Sequence, residues 1–294
     1  MPPEPPLTPL DLLVVGGLTV DRFTDGTDEP GGSVLHVVRA AVPRGLHVGV
    51  VTTAGPEPAA QRGLAELRDT VPLVEVAEAP RTATFRHRET EVGRRLWLEH
   101  GGGRIVIPPG LQERPGLGRI LFAPVADELG ADQLGGLDDT FRTRAAILQG
   151  WLRDVDEQHR EVRPRDVRAL DPAVVAVPST FDLLVASRED LGKSGGDLSR
   201  LVWSLRGSFG RRPTILLTDG PNGVWVQRPQ LTHASDPEHV PAPSRVEAVR
   251  TTGAGDVFAA FMLFHWRDDV GGFRNLVTRA MQVVVEVLEE RSRS

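Results

Sequence analysis

Arg250-Thr251-Thr252-Gly253-Ala254-Gly255-Asp256 stands directly ahead of an apolar run, 257–266. The run reads as a helix, so the small residues before it form the turn into its first amides. Small side chains let a backbone pass close to a ligand. The first amides of a helix lack partners within it and carry the positive end of its dipole, which makes an anion site. Asp256 beside such a site would repel a phosphate rather than bind it. It suits a base that takes a proton from an attacking hydroxyl, while the amides of Gly253, Ala254 and Gly255 stabilise charge growing on a transferred phosphoryl group. The plain alternative is a Gly-rich loop in which Asp256 is only a helix-start charge.

Outward from this motif the chain alternates strands and helices. Residues 11–15 read as a buried strand ending in Gly16-Gly17, and a polar segment, 21–30, leads to Gly31-Gly32. A helix follows over 33–41 with Ser33 as its N-cap, then a strand at 46–52, a helix at 59–68 and an extended stretch at 71–76. This rhythm predicts a parallel sheet covered by helices. It breaks at about 82–99, which reads as a half-exposed hairpin turning at Gly93 and a candidate lid. It resumes with strands at 119–124, 145–150 and 183–186, a cap at Ser187, a helix at 198–205 and a strand at Thr214–Thr218. A tight turn at 219–223 leads into Val224–Gln227. Residues 235–244 read as a Pro-rich surface loop, and 276–290 as a helix before a polar tail, 291–294. Without an internal repeat or a long linker, 1–294 is expected to form one domain.

Composition narrows the function. The 294 residues are 40% hydrophobic, enough for one large core. A net charge of −6 argues against sequence-independent nucleic-acid binding, which needs a basic face. The single lysine, Lys193, is not in a P-loop, and the absence of cysteine excludes disulfides, thiolate metal sites and thiol nucleophiles. Met1-Pro2-Pro3-Glu4-Pro5-Pro6 has neither a basic region nor an apolar run, so no signal peptide is read, and no stretch has the length of a membrane span. A soluble cytoplasmic protein is expected.

The ordered set of motifs resembles the ribokinase-like, phosphofructokinase B-type carbohydrate kinases over about residues 10–285. Thr252-Gly253-Ala254-Gly255-Asp256 matches their late signature. The strand ending Val14-Val15-Gly16-Gly17 is followed by Asp21, then by the Gly31-Gly32 pair, the candidate lid and the turn Thr218-Asp219-Gly220-Pro221-Asn222-Gly223. Gln149-Gly150-Trp151-Leu152-Arg153 is similar to a branch of that family with unassigned sugar substrates. The resemblance implies a three-layer α/β/α sandwich with a mostly parallel sheet and a small β lid. It implies transfer of the ATP γ-phosphoryl group, with Mg²⁺, to a hydroxyl of a sugar or nucleoside. Asp256 would be the general base, and Gly253, Ala254 and Gly255 the anion hole. Asp21, Gly31 and Gly32 would hold substrate hydroxyls, while Thr218, Gly220, Gly223, Ser187 and Thr252 would lie along the nucleotide. Each has a structural alternative: Asp21 as a turn cap, Gly31-Gly32 as a turn, Asn222-Gly223 as a hairpin turn.

Four positions depart from the family pattern. Arg250 replaces an acid that commonly helps hold a monovalent cation. It either supplies a fixed positive charge that makes the protein independent of potassium, or faces solvent. Ser187-Arg188-Glu189-Asp190 replaces an Asn-x-x-Glu that orders water around Mg²⁺, leaving Asp190 as the metal-side carboxylate or Ser187 as a helix cap. His36 stands where the family often has Asn, as a substrate-side or a structural residue. Thr278-Arg279-Ala280 replaces a sequence beside the adenine. Two readings follow: an active kinase with relaxed peripheral motifs, or a kinase-fold protein that binds ligand with weak or no turnover. The short segment 18–30 leaves little room for an interlocking lid, and a monomer or homodimer is expected.

Overall fold

The structure, a computed structural model, describes residues 9–90, 93–111, 117–134, 141–192, 197–229, 236–244, 251–266 and 272–293. Arg250, Lys193 and the hairpin tip at 91–92 lie outside the described residues.

The strands in chain order are β1 (Leu12–Gly16), β2 (Thr19–Arg22), β3 (Asp28–Gly31), β4 (Val48–Ala54), β5 (Leu73–Glu78), β6 (Ala83–Thr90), β7 (Gly93–His100), β8 (Arg119–Ala123), β9 (Thr143–Ile147), β10 (Arg153–Val155), β11 (Val162–Pro164), β12 (Leu183–Ser187), β13 (Thr214–Thr218), β14 (Val224–Gln227) and β15 (Glu238–Val240). The helices are α1 (Ser33–Ala41), α2 (Pro58–Thr70), α3 (Ala131–Leu134), α4 (Pro172–Ala176), α5 (Leu198–Phe209), α6 (Ala254–Phe264) and α7 (Phe273–Arg293).

Nine strands form the main sheet in the order β15-β14-β13-β12-β9-β8-β1-β4-β5, parallel from β13 to β5 and antiparallel at β14 and β15. Its central strands are apolar on both faces, as a sheet covered on both sides requires. Leu12 and Val14 point to one core with Val257 and Met262 of α6 and Val277 of α7, and this face carries α1 and α2 as well. Leu13 and Val15 point to the other, with Val202, Leu205 and Phe209 of α5 and flanking residues of α3 and α4. The result is the expected three-layer α/β/α sandwich.

Strand order reverses between β1 and β8: the chain moves from β1 through β4 to β5, then from β8 through β9 and β12 to β13. Such a switch point opens a crevice at the carboxyl ends of the strands. Gly17 follows β1 there, opposite the loop after β8. Glu128 shapes that loop by accepting from the Val125 and Ala126 amides, both at 2.7 Å.

A second, four-stranded sheet has the order β3-β2-β6-β7. The hairpin at about 82–99 is present as β6 and β7. The polar segment 21–30 is not a plain connection, however: β2 and β3 pair antiparallel, and β2 joins β6 in parallel. Asp28-Glu29-Pro30 are poor strand formers in isolation, and pairing overrides the propensity. Three further expectations are corrected. Gly32, not Ser33, is the N-cap of α1, because the backbone there adopts φ 97°. The loop 235–244 contains β15, held by its ladder to β14. The polar tail at 291–293 continues α7, where Arg291 is drawn inward by a partner described below.

Candidate active site

Helix α6 begins at the crevice. Its N-cap is Gly253 at φ 82°, and Val257 makes the first helical bond, to the Gly253 carbonyl at 3.0 Å. Gly253 meets two demands that no other residue satisfies. It adopts the left-handed conformation, and a Cβ there would overlap the His36 ring. The turn engages one of the expected anion-hole donors, since the Ala254 amide donates to the Thr251 carbonyl at 3.1 Å. Gly255 and Asp256 therefore present the amides that precede the first helical bond.

Asp256 is 6% exposed, and its Oδ1 has no hydrogen-bond partner among the described residues. Burial pushes its pKa up to about 6. The Ser33 hydroxyl and the charges of Arg153 and Arg291 oppose the rise, and the Asp190 carboxylate adds to it. Desolvation prevails because burial penalises the charged form of the carboxyl more than these neighbours favour it. Ser33, freed from capping, has its hydroxyl buried beside this carboxylate instead.

His36, on α1, packs on Gly253 and is close enough to Asp21 to stabilise its charge. Asp21, on β2, is 7% exposed, and its Oδ1 accepts from the Thr19 hydroxyl at 3.0 Å. Its carboxylate packs on the Cα of Gly31, where a Cβ would overlap Oδ2. Burial pushes the Asp21 pKa up, but the His87 ring, the His36 ring and the Thr19 hydroxyl outweigh it and hold the group below its ordinary value. Gly32 backs onto the Gly17 carbonyl. Asp21, Gly31, Gly32 and His36 thus meet on the side of Gly253 that faces the small sheet.

The expected donor-side residues gather at the ends of β12 and β13, where Ser187 and Thr218 are register partners. Ser187 caps the turn of helix at 188–191: its hydroxyl accepts from the Glu189 amide at 3.2 Å, and the Asp190 carboxylate accepts from the Ser187 amide at 3.2 Å. Asp190 remains near enough to Asp256 to raise its pKa. Gly220 is exposed, whereas Gly223, at φ 112°, lies against the Val240 carbonyl. The turn between them is tied by ion pairing of Arg188 to Asp219 at 3.1 Å and by the Asn222 side-chain amide donating to Asp219 at 3.0 Å.

Three site residues escape sequence reasoning. Arg291 reaches back from the last turn of α7 and donates through Nη1 to the Thr252 carbonyl at 2.7 Å. Arg153 donates to the Val125 carbonyl at 2.8 Å and lies 5.4 Å over the Phe85 ring of β6. His87, also on β6, is 7% exposed with its Nε2 3.4 Å from Asp21 Oδ1. His87 stands in the candidate lid, 82–99, and Arg291 in the polar tail, while Arg153 ends the stretch Gln149–Arg153. In that stretch Gly150 donates to the Pro124 carbonyl at 3.0 Å and Trp151 to the Leu129 carbonyl at 2.8 Å, bracing the crevice loop.

No family model and no curated protein matches the sequence. Solved structures do. A pyrophosphate-dependent kinase in the ribokinase family, complexed with a pyrophosphate analog and myo-inositol, superposes with a TM-score of 0.69 at 20% identity, covering 94% of each chain. Aminoimidazole riboside kinase from Salmonella enterica, complexed with aminoimidazole riboside and an ATP analog, gives 0.66 at 17% identity over 94% of this chain and 93% of that one. A fructokinase double mutant from Vibrio cholerae O395, bound to fructose, ADP and potassium ion, gives 0.67 at 16% identity over 94% and 91%. The chain has the fold of the ribokinase-family carbohydrate kinases. Among the described residues no helix is long and apolar enough to cross a membrane.

Proposed function

We propose that the chain is a carbohydrate kinase that transfers the γ-phosphoryl group of ATP to a hydroxyl of a sugar or nucleoside-like molecule, with Asp256 as general base. The observation that carries this reading is a buried carboxylate, its pKa pushed up to about 6, in the first turn of α6 and beside the cluster built on Asp21. A base of that pKa is ionised at neutral pH and is a competent acceptor of a hydroxyl proton. The acceptor would lie between Asp21 and Asp256 under the small sheet, which acts as the lid. The amides of Gly255 and Asp256, with the Arg291 guanidinium behind them, would stabilise charge on the transferred group.

Among the described residues no cluster of three acidic or histidine side chains could hold a metal by itself. Asp190, one oxygen of which is committed to Ser187, fits the mode in which Mg²⁺ arrives on the donor's phosphates and takes one protein carboxylate. There it would neutralise phosphate charge.

One observation favours the alternative, a ligand-binding protein with weak turnover: Ser187 and Asp190 satisfy each other in a capping box rather than standing open. Donor depletion separates the two readings. Purified protein is assayed over sugars and nucleosides with Mg²⁺, using ATP and, in parallel, pyrophosphate. The kinase reading expects Asp256→Asn to cut turnover by about 10²–10⁴-fold with acceptor binding retained. Wild type and variant consuming donor equally slowly with every acceptor would sink it.

A further inference from the structure

His87 has both ring nitrogens buried without a hydrogen bond to any described residue. That is costly, since a buried polar group without a partner has given up its hydration for nothing. The arrangement around the ring is nevertheless specific. Asp21 pairs in register with Phe85, so His87, two residues on, faces the same side of the small sheet as Asp21. Phe23, two residues after Asp21, lies against the imidazole with ring centroids 5.1 Å apart. Its Nε2 is 3.4 Å from Asp21 Oδ1, and the atoms are not aligned for a hydrogen bond. The ring is thus held by a tilted contact with Phe23, with its nitrogens beside the carboxylate expected to bind acceptor hydroxyls.

We propose that His87 is a specificity-determining residue that acts with Asp21 to read two neighbouring hydroxyls of a neutral polyhydroxylated acceptor. The inference rests on the kinase reading of this pocket and names what that pocket selects. A carboxylate only accepts hydrogen bonds, whereas an imidazole offers at least one N–H donor. Hydroxyls on adjacent carbons can meet one group each, the first donating to Asp21 and the second bonding the ring. Asp21 is held ionised, so an anionic group placed there would be repelled. The arginines of β2 and β6 that could have neutralised it are turned to the opposite face: Arg22 pairs with Asp28 and Glu99, and Arg86 with Glu99. Thr19 and Gly31 complete the fit, the one holding Oδ1 and the other leaving the carboxylate room against the backbone.

The test compares wild type, His87→Ala and His87→Phe on hexoses, pentoses, cyclitols, ribosides and their monodeoxy analogues. Donor consumption is measured, with calorimetric acceptor binding in the absence of donor. The Phe variant keeps the contact with Phe23 without the nitrogens, so it answers for hydrogen bonding even if the Ala variant misfolds. KM for the preferred acceptor is expected to rise about tenfold with kcat within about threefold. Wild type should discriminate against one monodeoxy analogue that both variants treat like its parent. Unchanged KM in both folded variants, or a loss confined to kcat, would overturn the role of His87 alone. If wild type neither binds nor phosphorylates any member of the panel, the acceptor reading of the pocket falls and the assignment with it.

Discussion

The two sides of the crevice are built on opposite principles. On the proposed acceptor side Asp256 and His87 are buried with polar atoms that meet no hydrogen-bond partner among the described residues. On the donor side the turn at 219–223 is largely exposed and satisfies itself, through Arg188, Asp219, Asn222 and the His239 ring at 3.0 Å from the Asn222 carbonyl. A protein stores interaction potential where groups are dry and unpaired, and stores shape where they are wet and paired. Selectivity should accordingly reside in the acceptor half, while the donor half should tolerate substitution.

Four experiments can break or sharpen that contrast. The largest effect belongs to Asp256→Asn, and it has two signs. Turnover falls by orders of magnitude, as above, but the fold gains stability. Asp256 ionises with difficulty in the folded chain, so the wild type binds this proton more tightly when folded. Its penalty is absent below the ordinary pKa of 3.8, grows as pH rises and is complete above about 6. Removing the charge should stabilise the protein by on the order of 3 kcal/mol at pH 8, and by little at pH 4. Thermal melting of both proteins across that range checks it; a variant less stable than wild type at pH 8 would refute the unpaired-charge picture.

Next is Gly253→Ala. The left-handed backbone costs about 1–2 kcal/mol for a side chain, and displacing the His36 ring adds about 1–3 kcal/mol. Melting should drop by several degrees and activity fall with it, whereas Gly220→Ala, in open space, should be milder on both counts. Smaller again is a shift in pH dependence. The acid limb of wild-type turnover should rise with a single proton through about pH 6 and be flat above it. Arg153→Gln removes a charge that favours the ionised base, so that limb should move to higher pH. The smallest effect is Arg188→Ala. Its ion pair with Asp219 is half exposed, worth about 0–1 kcal/mol, and donor KM should change by less than about threefold. A larger change would show that the donor turn depends on this pairing for its shape.

The sequence was most legible where local rules operate. Gly253 to Asp256 announce a turn and a helix start through their own conformational preferences, and strands such as Thr214–Thr218 announce themselves by apolar runs. Site residues tied by distant contacts were harder to read. His36 was legible as a position but not as the wall against Gly253, since that contact joins α1 to α6. His87 sits between Arg86 and Arg88 on the eight-residue strand β6, where alternation with Phe85 gives its face but not its partner. Only the register of β2 with β6 brings it to Asp21. The expected Ser33 cap fails for a similar reason: the hydroxyl has a neighbour 223 positions downstream, in Asp256, that no local rule contains.

The Arg291 guanidinium, held by the Thr252 carbonyl, gives the molecule an order of events in time. The turn at Gly253 is synthesised late, and the side chain that secures it comes 39 residues later still. A chain cut short before residue 291 would carry the Gly253 turn and Asp256 without the guanidinium that ties them to the end of α7.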